Sequence, residues 1–245
     1  DPEMSRGLGD VYKRQGQEVQ NLDPVLRRNI GLLIEGHVQY AFMTIEQIER
    51  FYARFYPRWN RDAYYGLMEM LKVAPRQRIS RMSCGQRSQV ALGLILAQNA
   101  DLLVLDDFSM GLDPGYRRLF VEYLRDYAQS EEKTVFLTSH IIQDMEKLVD
   151  DCIIMDYGSI LVQMPVGELL GTFRRYTFTP GADVTIPAGD GLYHPSVVNG
   201  RAELYSFDSP ATVQGVLERA GIVCSDLRGE TLNLEDAFIG LTGKY

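Results

Sequence analysis

The chain has 245 residues, of which 45% are hydrophobic and 24% are charged, and its formal net charge at pH 7 is −8. These proportions are typical of a globular protein with a sizeable core, and the acidic balance argues against nucleic acid as a partner. The longest uncharged apolar stretch, residues 90–100, is far shorter than the roughly 20 residues of a transmembrane helix. The widely spaced cysteines, three in number, indicate neither a disulfide framework nor a metal-ligand set.

Residues 1–15 are predicted to lie outside the fold. They combine charged, glycine and small residues with little periodicity, and the string is similar to a translated cloning adapter. The alternative is a natural, disordered N-terminus. On the first interpretation the native chain begins near Gly16.

Apolar runs and capping residues predict a succession of strands and helices. The predicted strands are residues 29–34, 102–105, 135–137, 150–155, 160–162, 176–179 and 203–207. The predicted helices begin at the caps Thr44, Asn60 and Ser209, a further helix is predicted over residues 86–99, and residues 233–243 resemble a terminal helix. The stripe of the first helix runs from Ile45 to Phe55, and Pro57 is expected to end it. The alternation of strands and helices indicates an α/β fold.

Two segments carry the chemistry. Residues 82–86, Met-Ser-Cys-Gly-Gln, place small residues ahead of a helix, where backbone N–H groups can bind an anion. Residues 102–107 form an apolar run that ends in Asp106 and Asp107, and carboxylates at the end of a buried strand can position Mg²⁺. Together they indicate a site for a nucleotide phosphate, although Ser83 alone is equally an ordinary helix cap.

Further along come Gly-Leu-Asp-Pro at residues 111–114 and Thr-Ser-His at 138–140. This order resembles the ATP-binding subunits of ABC transporters of the bacterial export or drug-resistance type, with signature motif, Walker B strand, D-loop and switch histidine in sequence. The resemblance implies an ABC ATP-binding domain of the P-loop NTPase type over residues 16–164. It also implies a helical subdomain at about residues 40–100 and a small α+β C-terminal domain over residues 165–245.

The resemblance also implies roles for individual residues. Asp106 matches the aspartate that holds Mg²⁺, Asp107 stands where the family has a catalytic glutamate, and His140 matches the switch histidine. Glu35 stands where many members have the Q-loop glutamine that senses Mg²⁺ and the attacking water, which implies a catalytic role, and the alternative is a surface carboxylate. Ser83, Gly85 and Gln86 are expected to contact nucleotide bound by the opposite subunit, and Cys84 and Asp113 are also expected to bind nucleotide. Cys84 could be a reactive thiol, but packing is the preferred interpretation.

One family element is missing from the sequence. No stretch reads G-x-x-x-x-G-K-[ST], the loop that cradles the β and γ phosphates, and the glycines at 7–9 and 189–191 are better interpreted as loops. We therefore expect an N-terminally truncated subunit whose first strands and first helix are missing.

The resemblance implies a function. The complete subunit would bind MgATP as a homodimer or heterodimer and hydrolyse it to power a separate membrane permease at the cytoplasmic face of the membrane. The fragment alone would be inactive. Two alternatives remain open, namely a degenerate partner that does not hydrolyse ATP and a soluble ABC-type ATPase.

Overall fold

The computed structural model describes residues 21–34, 40–107, 112, 114–143, 145–181 and 184–243, together with the backbone of 13–14 and 17–18. The chain divides into two compact units, Asp1–His140 and Ile141–Tyr245. The domain boundary that the sequence predicts near residue 165 stays a prediction. Within the described residues, none of the helices is both long enough and apolar enough to cross a bilayer.

The first unit alternates strands and helices. Its elements are β1 (Lys13–Arg14), β2 (Gln17–Glu18), α1 (Pro24–Arg28), β3 (Ile30–Leu33), α2 (Ile45–Tyr52), α3 (Arg61–Met70), α4 (Cys84–Ala97), β4 (Leu102–Asp106), α5 (Pro114–Ser130) and β5 (Thr134–Thr138). The predicted strands at 29–34, 102–105 and 135–137 are confirmed as β3, β4 and β5, as are the helix starts at Thr44 and Asn60. The helix predicted over residues 86–99 is α4, which begins two residues earlier, after the N-cap Ser83.

The first unit contains a short antiparallel pair, β1-β2, and a three-stranded parallel sheet with the strand order β3-β4-β5. The register aligns Leu32 with Val104 and Phe136 in one row across the sheet. Leu103 and Leu105, which point to the opposite face, are fully buried, whereas Leu32 is 51% exposed and Phe136 is 53% exposed. The α/β fold class with a parallel sheet is therefore confirmed, and the described residues leave one face of that sheet partly exposed.

Helix α4 packs on the buried face of the sheet and is itself buried along most of its length. Gly31 of β3 permits this contact, because a Cβ atom there would lie 2.9 Å from Ile95 Cγ2 and 2.8 Å from Leu103 Cδ2. On the other side, α3 packs against α4 at Gly93, where a Cβ atom would lie 3.0 Å from Met68 Cε. Glycine thus sets two close approaches that hold α4 in place.

The prediction for the end of α2 is wrong. Phe55 was expected on the helical stripe, but α2 ends at Tyr52 and Phe55 lies beyond it, 53% exposed. After Tyr52 the backbone changes to turns whose hydrogen bonds join residues three apart, and Phe55 N–H donates to Tyr52 O at 2.9 Å. Pro57 disfavours helical backbone at Tyr56, so the chain leaves the helix before the proline.

The second unit is built mainly from antiparallel strands. Its elements are β6 (Asp151–Asp156), β7 (Ser159–Pro165), α6 (Val166–Thr172), β8 (Arg174–Pro180), β9 (Tyr193–Val198), β10 (Arg201–Ser206), α7 (Pro210–Arg219), β11 (Cys224–Thr231) and α8 (Leu234–Thr242). Strands β6 and β7 form a hairpin, and the other four form a sheet in the order β11-β8-β10-β9.

Helix α7 closes one face of the four-stranded sheet. Its Val213, Val216 and Leu217 pack on Tyr176 and Leu204 in a continuous buried cluster. The predicted strands at 150–155, 160–162, 176–179 and 203–207 and the helix starts at Ser209 and Asn233 are confirmed. The sequence did not predict β9 and β11.

Candidate functional site

The first candidate segment is the turn that begins α4. Ser83 is the N-cap, and its Oγ accepts a hydrogen bond from Gln86 N–H at 3.1 Å while Ser83 N–H donates to Gln86 Oε1 at 3.1 Å. This reciprocal capping box fixes the entry into the helix. Cys84 is a free cysteine and exposed, so the interpretation that it packs in the interior is wrong. Gly85 follows it at the positive end of the helix dipole. The turn therefore presents an anion-compatible surface, and its serine already serves as a cap.

The second candidate segment lies where β4 and β5 end. Asp106 is the last residue of β4 and pairs in register with Thr138, the last residue of β5. Thr138 Oγ1 donates to Asp106 Oδ1 at 2.5 Å and accepts from Asp107 N–H at 3.1 Å. Because neighbouring parallel strands end at the same edge, one hydroxyl reaches both aspartates.

His140 completes this cluster. Its Nδ1 lies 3.0 Å from Asp107 Oδ1 and 2.9 Å from Asp107 Oδ2. The carboxylate can only accept, so Nδ1 carries the proton, and Nε2 is left as an acceptor when the ring is neutral. The Asp107 side chain is 21% exposed and that of His140 is 63% exposed. The pair is therefore accessible to a ligand.

The backbone of Asp107 helps to form this pair. Its φ of +42° lies in the left-handed region, which non-glycine residues seldom occupy. Such a conformation costs on the order of 1 kcal/mol and persists where neighbouring contacts hold it. The hydrogen bond from Asp107 N–H to Thr138 and the contact with His140 are two such contacts.

The structure brings some of the predicted site residues together. Asp106, Asp107 and His140 form one cluster, and Ser83, Cys84, Gly85 and Gln86 form one turn. Among the described residues, no hydrogen bond or ion pair joins that turn to the cluster. Glu35 and Asp113, which were also predicted as site residues, lie outside the described residues.

Thr138 is the residue whose role the sequence did not reveal. The motif Thr-Ser-His indicates a role for His140 and predicts no contact for Thr138. The signal that could have found it is register: Asp106 and Thr138 each follow an apolar run in neighbouring parallel strands. Register between strands is not determined by either run alone.

The donor set suits a hard cation held partly by a substrate. Mg²⁺ usually binds one or two carboxylates and completes its shell with water and phosphate oxygens. Thr138 occupies Asp106 Oδ1, and the described part of the chain gives Oδ2 no hydrogen-bond partner. No group of three or more histidine, cysteine, aspartate or glutamate side chains in that part is arranged as a metal site. Asp106 therefore suits a magnesium–phosphate complex better than a metal held by protein alone.

A family model matches part of the first unit. The family, described as an AAA domain of a putative AbiEii toxin in a type IV toxin–antitoxin system, matches residues 71–143. That range contains the Ser83 turn and the cluster of Asp106, Asp107 and His140.

Relatives with established names are ATP-binding proteins of transporters. The energy-coupling factor transporter ATP-binding protein EcfA2 of Clostridioides difficile is 36% identical over 94 residues, which cover 38% of this chain and 30% of the relative. The bacitracin transport ATP-binding protein BcrA of Enterococcus faecalis is 24% identical over 226 residues, covering 89% of this chain and 73% of the relative. BcrA of Bacillus licheniformis is 26% identical, covering 64% of this chain and 52% of the relative. The chain thus spans under a third of EcfA2 and about half of the second BcrA.

Solved structures with a similar fold include an ATP-binding subunit of an ABC transporter, with a TM-score of 0.54 and 19% identity, covering 63% of this chain and 66% of that one. A dimeric ATP-binding cassette, MJ0796 bound to ADP and Pi, has a TM-score of 0.52 and 18% identity, covering 62% of this chain and 71% of that one. These structures share the fold. The named relatives confirm the resemblance found in the sequence: the chain is similar to ATP-binding proteins of transporters.

Proposed function

We propose that the chain is part of an ATP-hydrolysing subunit of an ABC transporter, and that the subunit, once it includes a phosphate loop, powers transport through a separate membrane permease. The observation that carries the proposal is the cluster of Asp106, Asp107 and His140 at the adjoining ends of two parallel strands. Carboxylates and an imidazole at this edge can bind a metal–phosphate complex and orient a water molecule. The names of the relatives support the transporter context.

In the proposed reaction, water attacks the γ phosphorus of ATP in line with the departing ADP. The water oxygen forms a bond to phosphorus, the bond from phosphorus to the β–γ bridging oxygen breaks, and ADP and phosphate are released. Asp107 polarises the water and accepts its proton. His140 orients Asp107 through Nδ1. When the imidazole ring is neutral, its Nε2 can accept a hydrogen bond from the water. When the ring is protonated, Nε2 can donate a hydrogen bond to the γ phosphate.

Asp106 is the residue that would hold Mg²⁺, through Oδ2 or through a bound water. The ion supplies charge neutralisation of the β and γ phosphate oxygens. The Asp106 carboxylate is fixed by Thr138 at Oδ1, so Oδ2 has a defined direction.

The turn at Ser83 is proposed to serve a nucleotide held by a second ATP-binding subunit. Ser83, Cys84, Gly85 and Gln86 lie at the exposed start of α4, where backbone N–H groups and the helix dipole favour phosphate. We assign Asp113 to the same contact because of its place in the motif. The subunit would thus act as a dimer, peripheral to the cytoplasmic face of the membrane.

The second candidate is a partner subunit that lends its Ser83 turn and does not hydrolyse ATP itself. The observation in its favour is that both oxygens of Asp107 lie within 3.0 Å of His140 Nδ1. A carboxylate engaged in this way must release one oxygen before it can polarise water. Aspartate is also one methylene shorter than the glutamate that the family resemblance implies, and positioning is sensitive to displacements on the order of 1 Å.

Two substitutions test the function and separate the two candidates. They are made in the native assembly, by which we mean the complete subunit together with its partner ATP-binding subunit and the permease. Asp106→Asn and Ser83→Ala should each lower the steady-state rate of phosphate release from MgATP if the chain hydrolyses ATP and also completes its partner's site. A degenerate partner predicts loss with Ser83→Ala only. Phosphate release that neither substitution alters would contradict both functions.

A further inference from the structure

Thr138 occupies a position from which one hydroxyl contacts two neighbouring residues. Its Oγ1 donates to Asp106 Oδ1 at 2.5 Å and accepts from the backbone N–H of Asp107 at 3.1 Å. Asp106 and Asp107 are the two carboxylates of the candidate site, and Thr138 belongs to the neighbouring strand. Asp106 is the last residue of β4 and Asp107 follows it directly. The Thr138 hydroxyl therefore links both residues to the neighbouring strand β5.

The two hydrogen bonds restrict different freedoms. The bond to Oδ1 fixes the rotation of the Asp106 carboxylate and leaves Oδ2 in a single direction. The bond from Asp107 N–H holds the backbone that carries Asp107 at a φ of +42°. That backbone turns the Asp107 carboxylate toward His140, which it meets at about 3 Å. Loss of the hydroxyl would therefore loosen both aspartates together.

We propose that Thr138 is a positioning residue that holds the Asp106 carboxylate and the Asp107–His140 pair in one arrangement. The two hydrogen bonds of Thr138 carry this assignment. The effect of Thr138 on ATP hydrolysis rests on the proposed function. A hydroxyl can serve both contacts because it donates one hydrogen and accepts at its lone pairs, which valine, of nearly the same shape, cannot do.

A simple strand-end role is the competing explanation. Thr138 would then contribute to the stability of β5 and leave His140 unaffected. Thr134 provides a matched control, because it lies on the same strand and the same face, it is exposed, and no hydrogen bond of its side chain is found with the rest of the described chain. Thr134→Val should therefore reproduce any general effect of valine on the strand.

The deciding experiment measures the tautomer of His140 by ¹⁵N nuclear magnetic resonance of the full chain at about pH 8, above the ordinary histidine pKa. The sequence has three histidines, so the His140→Gln variant assigns the signal. The native chain, Thr138→Ser and Thr134→Val should show His140 protonated at Nδ1. Thr138→Val and Thr138→Ala should shift population to the Nε2-protonated form, because Asp107 is no longer held against the ring.

A native tautomer population in both folded variants, Thr138→Val and Thr138→Ala, would overturn the proposal. If one variant fails to fold, the other decides. In the native assembly, Thr138→Val should lower kcat about tenfold with KM for ATP changed less than about twofold, and Thr138→Ser should restore most of the rate. If the native assembly releases no phosphate, the proposed function fails while the tautomer measurement still decides the role of Thr138. An unchanged kcat in an active assembly would contradict that role in catalysis.

Discussion

The two units contain sheets that differ in what covers them. The sheet β3-β4-β5 in the first unit is parallel, and its outer row is open, with Leu32 and Phe136 about half exposed. The four-stranded sheet in the second unit is antiparallel, and α7 closes its apolar face. Parallel sheets are normally buried on both faces, whereas antiparallel sheets tolerate water on one. The first sheet thus has an apolar face that the described chain leaves open.

The polar ends of the two sheets differ as well. In the first unit, parallel strands end together and place Asp106, Thr138 and the Asp107–His140 pair at one edge. In the second unit, neighbouring strands run in opposite directions, so consecutive strand ends lie at opposite edges. In the first unit, the parallel direction of the strands brings the polar side chains at their ends together. In the second unit, the antiparallel strands are held mainly by their apolar core.

The largest expected effect concerns the histidines of the two units. His140→Ala should lower ATP turnover in the native assembly about a hundredfold, because a preorganised hydrogen bond to the reacting groups contributes roughly 3 kcal/mol. His194 lies in the second unit and its Nε2 contacts Leu241 O at 3.1 Å, so His194→Gln should leave turnover near native. Steady-state phosphate release measures both. Equal losses in the two variants would show that the effect is one of general stability.

Glycine substitutions sharpen the account of how the parallel sheet meets α4. Gly31→Ala should lower the free energy of unfolding by about 1–3 kcal/mol, because its Cβ atom would overlap Ile95 and Leu103. Gly66, in α3, has nothing within 4 Å of the position that an alanine methyl group would occupy. Gly66→Ala should therefore raise stability by about 0.5–1 kcal/mol through helix propensity. Urea unfolding compares them, and a neutral Gly31→Ala would contradict the close packing.

The open apolar face should cause self-association of the chain. Exposed apolar faces and unpaired strand edges both promote association. Replacing Leu32 and Phe136 together by lysine should weaken association about tenfold, because charge makes burial of that row unfavourable. Val197 and Val198 of β9, 40% and 64% exposed, provide the matched pair of lysine substitutions, which should have little effect. Sedimentation measures association, and a monodisperse native monomer would contradict this prediction.

The smallest expected effect is a pH dependence of stability in the first unit. Burial, above all, raises the pKa of Tyr127 to about 12, and its hydroxyl donates to Leu96 O at 2.9 Å. An unfolded tyrosine has a pKa of about 10, so the stabilisation by the neutral hydroxyl is complete below pH 10. It is lost as the pH rises through about 12.

Tyr127→Phe should therefore reduce the loss of unfolding free energy between about pH 10 and 12. At pH 8 it should cost about 1 kcal/mol through the missing hydrogen bond. Tyr205 of the second unit, whose pKa burial also raises to about 12, provides the comparison as Tyr205→Phe. Denaturant unfolding at several pH values measures both. An unchanged pH slope in Tyr127→Phe would contradict its assignment.

The sequence predicted the apolar strands well because burial imposes a strong pattern. The runs at 102–105 and 135–137 are bounded by polar residues and appear as β4 and β5. β11 was not predicted because Cys224–Thr231 is mostly polar and exposed, as an edge strand of an antiparallel sheet can be. Helix α2 was predicted too long because an apolar stripe does not report where the backbone changes to tight turns.

The functional roles predicted for the site residues stay predictions, and the contacts between those residues were not predicted. Asp106, Asp107 and His140 follow apolar runs, and the expectation that they lie near one another came from the family resemblance. The bridge through Thr138 depends on strand register, and the Asp107–His140 contact depends on a left-handed backbone at Asp107. Neither is encoded in a local pattern of residue types.

The role of Asp107 in polarising the water that attacks ATP can be tested by one comparison of rates. Steady-state phosphate release from MgATP is measured for the native assembly, Asp107→Asn and Asp107→Glu. Asp107→Asn should lower the rate at least about a hundredfold while nucleotide-driven dimerisation persists. Asp107→Glu, with its longer reach, should raise the rate. Equal rates in the native protein and Asp107→Asn would contradict that role and remove Asp107 from the mechanism.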